Sequence, residues 1–132
     1  MDLGKPVTTP HALKTHDGAA YSWPGGVGNG RSMVSFSAIC AHRMSHPAPE
    51  VSFINYRHGK IDFTDKDYEL QSRSGLIYCC SEGSVYDPGD GARVLGGPAP
   101  QPLATILLEH HSSDDTLSAY GVLGGNMFIP CF

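Results

Sequence analysis

An all-β domain is the fold class that this sequence predicts, and three observations lead there. Glycine (16) and proline (10) together make up about a fifth of the 132 residues, a density of turn-formers that favours many short strands over long helices. Residues 32–39 alternate polar and apolar side chains, the two-residue period of a half-buried strand. No segment sustains the 3.6-residue apolar period of an amphipathic helix.

Element by element, the chain divides at turn residues. Residues 1–20 are polar and carry Pro6, Pro10 and Gly18, so 1–31 reads as an N-terminal arm and edge strand ahead of a domain at 32–132, one domain overall. Residues 24–30, with four glycines and Pro24, form a loop. The strand at 32–39 leads to Cys40, and 40–49 is a loop punctuated by Pro47 and Pro49. A second strand is expected at 51–56. The charged stretch 58–74 reads as a hairpin or an irregular insertion. The apolar run 75–78 leads to Cys79, and 81–91 is a loop holding Tyr86. Residues 96–102 form a rigid proline-rich loop. Strands at 104–109 and 116–122 follow, with Ser112, Ser113, Asp114 and Asp115 turning between them.

Composition narrows the function classes. The 40% hydrophobic and 17% charged residues are an ordinary globular balance. A net charge of −4 argues against a nucleic-acid partner. No run approaches the ~20 apolar residues that cross a bilayer, so a membrane enters only through a removed anchor or a partner. No cationic start followed by an apolar stretch marks a secretion signal. The expectation is a cytoplasmic chain, or a periplasmic one if an export signal or anchor has been removed. The four cysteines are Cys40, Cys79, Cys80 and Cys131. The adjacent pair argues against a regular disulfide framework, since neighbours bridge only through a strained ring. Cys131 reads as incidental.

Two cysteines each follow a strand and open a loop rich in potential ligands. The first loop runs Cys40-Ala41-His42-Arg43-Met44-Ser45-His46-Pro47, and the second Cys79-Cys80-Ser81-Glu82-Gly83-Ser84-Val85-Tyr86-Asp87. A thiolate and an imidazole two residues apart on an irregular loop can both turn onto one metal centre, and two such loops make a four-ligand site. His46 reads as an exposed loop histidine. The pair His110-His111 suggests a metal site less than a turn edge, because strand neighbours point to opposite faces.

These residues resemble the Rieske family, whose pattern is Cys-x-His, then Cys-x-x-His-Gly-Ser-x-Tyr/Phe-Asp, then a Gly-Pro-Ala-Pro loop over the cluster. The third block here is Gly97-Pro98-Ala99-Pro100. The blocks occur in the family's order and the similarity spans about residues 32 to 125. It looks closest to the Rieske proteins of respiratory complexes and the small subunit of arsenite oxidase. The resemblance implies antiparallel sheets with a small cluster-binding subdomain and a [2Fe-2S] cofactor. Cys40 and Cys79 would hold the inner iron and His42 the outer one. Ser84 and Tyr86 would hydrogen-bond to cluster sulfurs, which stabilises the reduced state. Gly97 and Pro98 would belong to the covering loop.

The departures are specific. Glu82 stands where the second histidine belongs. It could be the fourth ligand, as a hard oxygen donor that favours the oxidised cluster. Cys80, in the family's proline slot, could replace it, or the cluster could be lost. Ser45 and Ser81 occupy the positions of the family's inter-loop disulfide, and the 36 residues between His42 and Cys79 exceed its usual spacing. The expected function is one-electron transfer, without substrate chemistry of its own, as a subunit or soluble partner of a larger oxidoreductase with a redox partner protein. The alternatives are a cluster-free Rieske-like binding or assembly module and, more weakly, a structural zinc site on Cys40, His42, Cys79 and Cys80 or Glu82. A Cys-His hydrolase is the least favoured, because no oxyanion-hole motif stands out.

Overall fold

The computed structural model describes residues 1–15, 18–37, 54–79 and 83–124. Among these, ten strands run β1 (His11–Lys14), β2 (Ala20–Trp23), β3 (Ile54–Arg57), β4 (Ile61–Thr64), β5 (Leu70–Arg73), β6 (Leu76–Cys79), β7 (Val85–Asp87), β8 (Arg93–Gly96), β9 (Thr105–His111) and β10 (Thr116–Leu123). Every ladder is antiparallel: a four-stranded sheet in the order β3-β6-β7-β8, and the hairpins β1-β2, β4-β5 and β9-β10. A single 3-10 turn, Pro88–Asp90, is the one helical element among the described residues. None of their helices is long and apolar enough to cross a membrane. The protein is all-β.

Alternation along the central strands explains why this sheet is covered on both sides. Ile77 and Cys79 of β6 face one side with Tyr86 of β7, packing with Ala92, Ala99 and Leu103. Leu76 and Val85 face the other and pack on Phe63 of the β4-β5 hairpin. Successive side chains of a strand point to opposite faces. A strand buried on both faces therefore reads as a continuous apolar run, as Leu76-Ile77-Tyr78-Cys79 does.

Four sequence expectations change. Tyr86, read as a loop residue, lies in β7, where both Val85 and Tyr86 are fully buried. The segment 92–95, not expected to be a strand, supplies most of β8. The arm and edge strand expected at 1–31 take the form of a two-stranded hairpin, β1-β2. Within 32–37, isolated bridges replace a strand: Met33 meets Val27 and Asp2, and Phe36 meets Thr105. The reason is the same at each point. Tertiary neighbours, not local pattern, decide whether so short a segment forms a ladder.

The β1-β2 hairpin is fastened by its apolar side chains and its polar rim together. Leu13 and Trp23 alternate inward and pack with Val34, and the Trp23 and Phe36 rings lie 6.0 Å apart. Beneath them runs the turn from β7 to β8. Its Gly91 has φ +66°, and an added Cβ would lie 2.5 Å from Leu13 Cδ1 and 3.1 Å from Trp23 Cγ. Glycine supplies both the left-handed backbone and the close approach. At the rim, His11 Nδ1 and Asp90 Oδ1 are 2.6 Å apart. Arg93 donates from Nε to Asp90 Oδ2 and from Nη2 to the Ala12 carbonyl.

The β4-β5 turn is organised by one carboxylate. Asp65 Oδ1 accepts from the backbone N–H groups of Asp67 and Glu69, and Oδ2 accepts from Gln71 Nε2. The Glu69 N–H first, and then the Gln71 amide, holds the Asp65 carboxyl below its ordinary value of 3.8. A carboxyl depressed in the folded state stabilises fully above its unfolded pKa, and that contribution fades as pH falls through the lowered value. Asp65→Asn should therefore have a lower urea midpoint than the wild type above about pH 4. The two midpoints should converge as the pH is lowered further, and a pH-independent gap would contradict the assignment.

Candidate metal centre

Cys79 ends β6, and two backbone bonds set the mouth of the loop that follows. Cys79 N–H donates to the Ser84 carbonyl at 2.9 Å, and Gly83 N–H donates to the Cys79 carbonyl at 2.8 Å. Gly83 takes φ +81°, a conformation natural to glycine. Residues 79 and 84 consequently stand side by side at one end of the sheet.

The proline-rich loop lies directly across that end. Ser84 Oγ accepts a hydrogen bond from Ala99 N–H at 3.1 Å in a fully buried setting. Loss of that acceptor would leave a buried N–H unsatisfied, at a cost of roughly 1–3 kcal/mol. Gly97, at φ +85°, passes so close that an added Cβ would fall 2.5 Å from Ser84 Cα and 2.7 Å from the Gly83 carbonyl oxygen. Gly97 and Pro98 remain exposed while Ala99 and Leu103 turn inward onto Cys79 and Tyr86. The Cys79 side chain is fully enclosed and is not in a disulfide.

Of the residues singled out in the sequence, Cys79, Ser84, Tyr86, Gly97 and Pro98 are thus gathered at one end of the β6-β7-β8 sheet or in the loop across it. Cys40, His42, Ser45, His46, Cys80, Ser81, Glu82 and Cys131 lie outside the described residues. Among the described residues, no three His, Cys, Asp or Glu side chains gather as a metal site. His110 Nε2 lies 2.8 Å from Asp115 Oδ1 and His111 Nε2 lies 2.9 Å from Ser118 Oγ, so the two rings serve different partners.

Sequence reasoning missed Ala99, whose backbone joins the covering loop to the second ligand loop. One signal was available: a small residue between Pro98 and Pro100 suits a point where backbone must approach backbone closely. No family model matches the chain, and neither does any curated protein.

Proposed function

We propose that the chain carries single electrons through a Rieske-type [2Fe-2S] centre, as a subunit or soluble partner of a larger oxidoreductase. The observation that carries this reading is the enclosed Cys79 thiol beside Ser84, under a Gly97–Ala99 crossing bonded to Ser84. A sulfur donor at a strand end, two hydroxyl-bearing side chains and a covering loop make a donor set suited to the cluster.

In this reading Cys79 and Cys40 would hold one iron. His42, with Glu82 or Cys80, would hold the other. When bound, the cluster would take up and release one electron. Ser84 and Tyr86 would donate hydrogen bonds to its sulfurs, favouring the reduced state. The Ala99–Ser84 bond fixes the Ser84 rotamer, and Ala99 and Leu103 exclude water from Cys79. A carboxylate at the fourth position would oppose those donors and lower the reduction potential.

Anaerobically purified protein should contain roughly two irons and two acid-labile sulfides per chain. It should show the visible absorption and electron paramagnetic resonance spectrum of a reduced [2Fe-2S] cluster. Cys79→Ser should lose iron and colour while keeping its far-ultraviolet circular dichroism. Stoichiometric zinc, or a colourless protein whose melting is indifferent to chelators, would overturn the reading. The second outcome would establish a cluster-free module instead, which the packing of Cys79 against Ile77 and Leu103 favours, since a buried cysteine also serves as a small apolar side chain.

A further inference from the structure

A surface cleft of about 410 Å³ lies between the β1-β2 hairpin, the β4-β5 turn, the start of β8 and the far end of the proline-rich loop. Three cations from three separate elements line it: Lys14 at the end of β1, Lys66 in the β4-β5 turn, and Arg93 at the start of β8. The whole chain has nine lysines and arginines and a net charge of −4. Three of the nine on one cleft therefore run against the overall balance.

Two of the neighbouring carboxylates are already committed, while those of Asp67 and Glu69 stand exposed in the same turn as Lys66. Asp90 lies against His11 and Arg93, and Asp65 is spent inside its own turn. Lys14 and Lys66 have no ion pair among the described residues. Arg93 is held by Nε and Nη2, which fixes the plane of its guanidinium and leaves Nη1 for a further acceptor. Pro100 and Pro102 supply an apolar wall, and the buried Gln101 supplies an amide between them.

The geometry points to this cleft as a binding site for a small organic dianion, a dicarboxylate or a phosphate ester. Two ammonium groups and one oriented guanidinium match two separated negative charges, and the proline rings match a short apolar body. The net negative charge of the chain disfavours an extended polyanion in the same place. The inference is independent of the iron–sulfur reading, since none of the three cations belongs to the candidate metal centre.

The test is a calorimetric titration of the full chain with succinate, inorganic phosphate and phenyl phosphate. Sodium chloride at matched ionic strength is the control. At least one dianion should bind saturably, with a dissociation constant in roughly the millimolar range, and should raise the melting temperature. The tighter probe then identifies the carboxylate or the phosphate class. The double variant Lys14→Gln/Lys66→Gln should weaken binding about tenfold or more. Both lysines are exposed, so its melting without ligand should match the wild type. Lys5→Gln/Lys60→Gln, outside the cleft, should bind as the wild type does. Dianions no better than chloride, or a double variant that binds undiminished, would overturn the proposal.

Discussion

Gly97→Ala should lower the melting temperature by about 10 °C, corresponding to roughly 3 kcal/mol in a domain of this size. Two costs add at this position. The backbone sits at φ +85°, where a side chain is strained by about 1–2 kcal/mol. The new methyl would also meet Ser84 Cα, Ser84 N and the Gly83 carbonyl at 2.5, 2.8 and 2.7 Å. All three are backbone atoms, so no rotamer change relieves them, and forced overpacking costs about 1–3 kcal/mol more. The shift that follows should pull Ala99 away from Ser84 Oγ and open the cover over Cys79. Melting followed by circular dichroism checks the stability. Faster reaction of Cys79 with a thiol reagent below the transition checks the opening. A variant that melts as the wild type does would show that the loop does not press on the β6-β7 turn.

Trp23→Ala should be the most damaging single truncation, at about 4 kcal/mol. Trp23 heads the fully buried side chains by volume, and its ring contacts those of Phe36 and His11, with centroids 6.0 and 5.4 Å away. Removing it empties the space between the β1-β2 hairpin and the β7-β8 turn. Nothing replaces the lost packing except a backbone that Arg93 and Asp90 hold in place. Urea unfolding should report the loss as a lower midpoint. Because Trp23 is the sole tryptophan, the wild-type transition can also be read as a red shift of its fluorescence. Trp23→Phe should recover most of the stability. If the alanine variant lost less than about 1 kcal/mol, the hairpin would not be part of the core.

What the sequence disclosed, and what it hid, follows from how far each signal reaches. Leu76 to Cys79 was legible because a strand covered on both faces is apolar throughout. β9 and β10 were legible because Ser112 to Asp115 mark the turn between them. β8 was hidden: Arg93 to Gly96 is short, flanked by glycines, and owes its strand form to pairing with β7. β1 and β2 were legible only as an edge strand within a polar arm, because each commits only one buried side chain, Leu13 or Trp23. At the candidate centre, the order of the motif blocks was legible, but the Ala99–Ser84 bond was not, since it joins two loops fifteen residues apart. The cationic cleft left no local trace, because Lys14, Lys66 and Arg93 meet only after three elements have packed.

The seat of the β1-β2 hairpin has a consequence for how the protein is made. Residues 11–23 are synthesised well before the Gly91 surface that receives Leu13 and Trp23. At a translation rate of about 5–20 residues per second, the hairpin waits several seconds with its indole unsheltered. During that interval it offers chaperones a greasy two-stranded ribbon. Synonymous codon changes that slow elongation between positions 24 and 91 should therefore lower the soluble yield, with no change in the finished molecule.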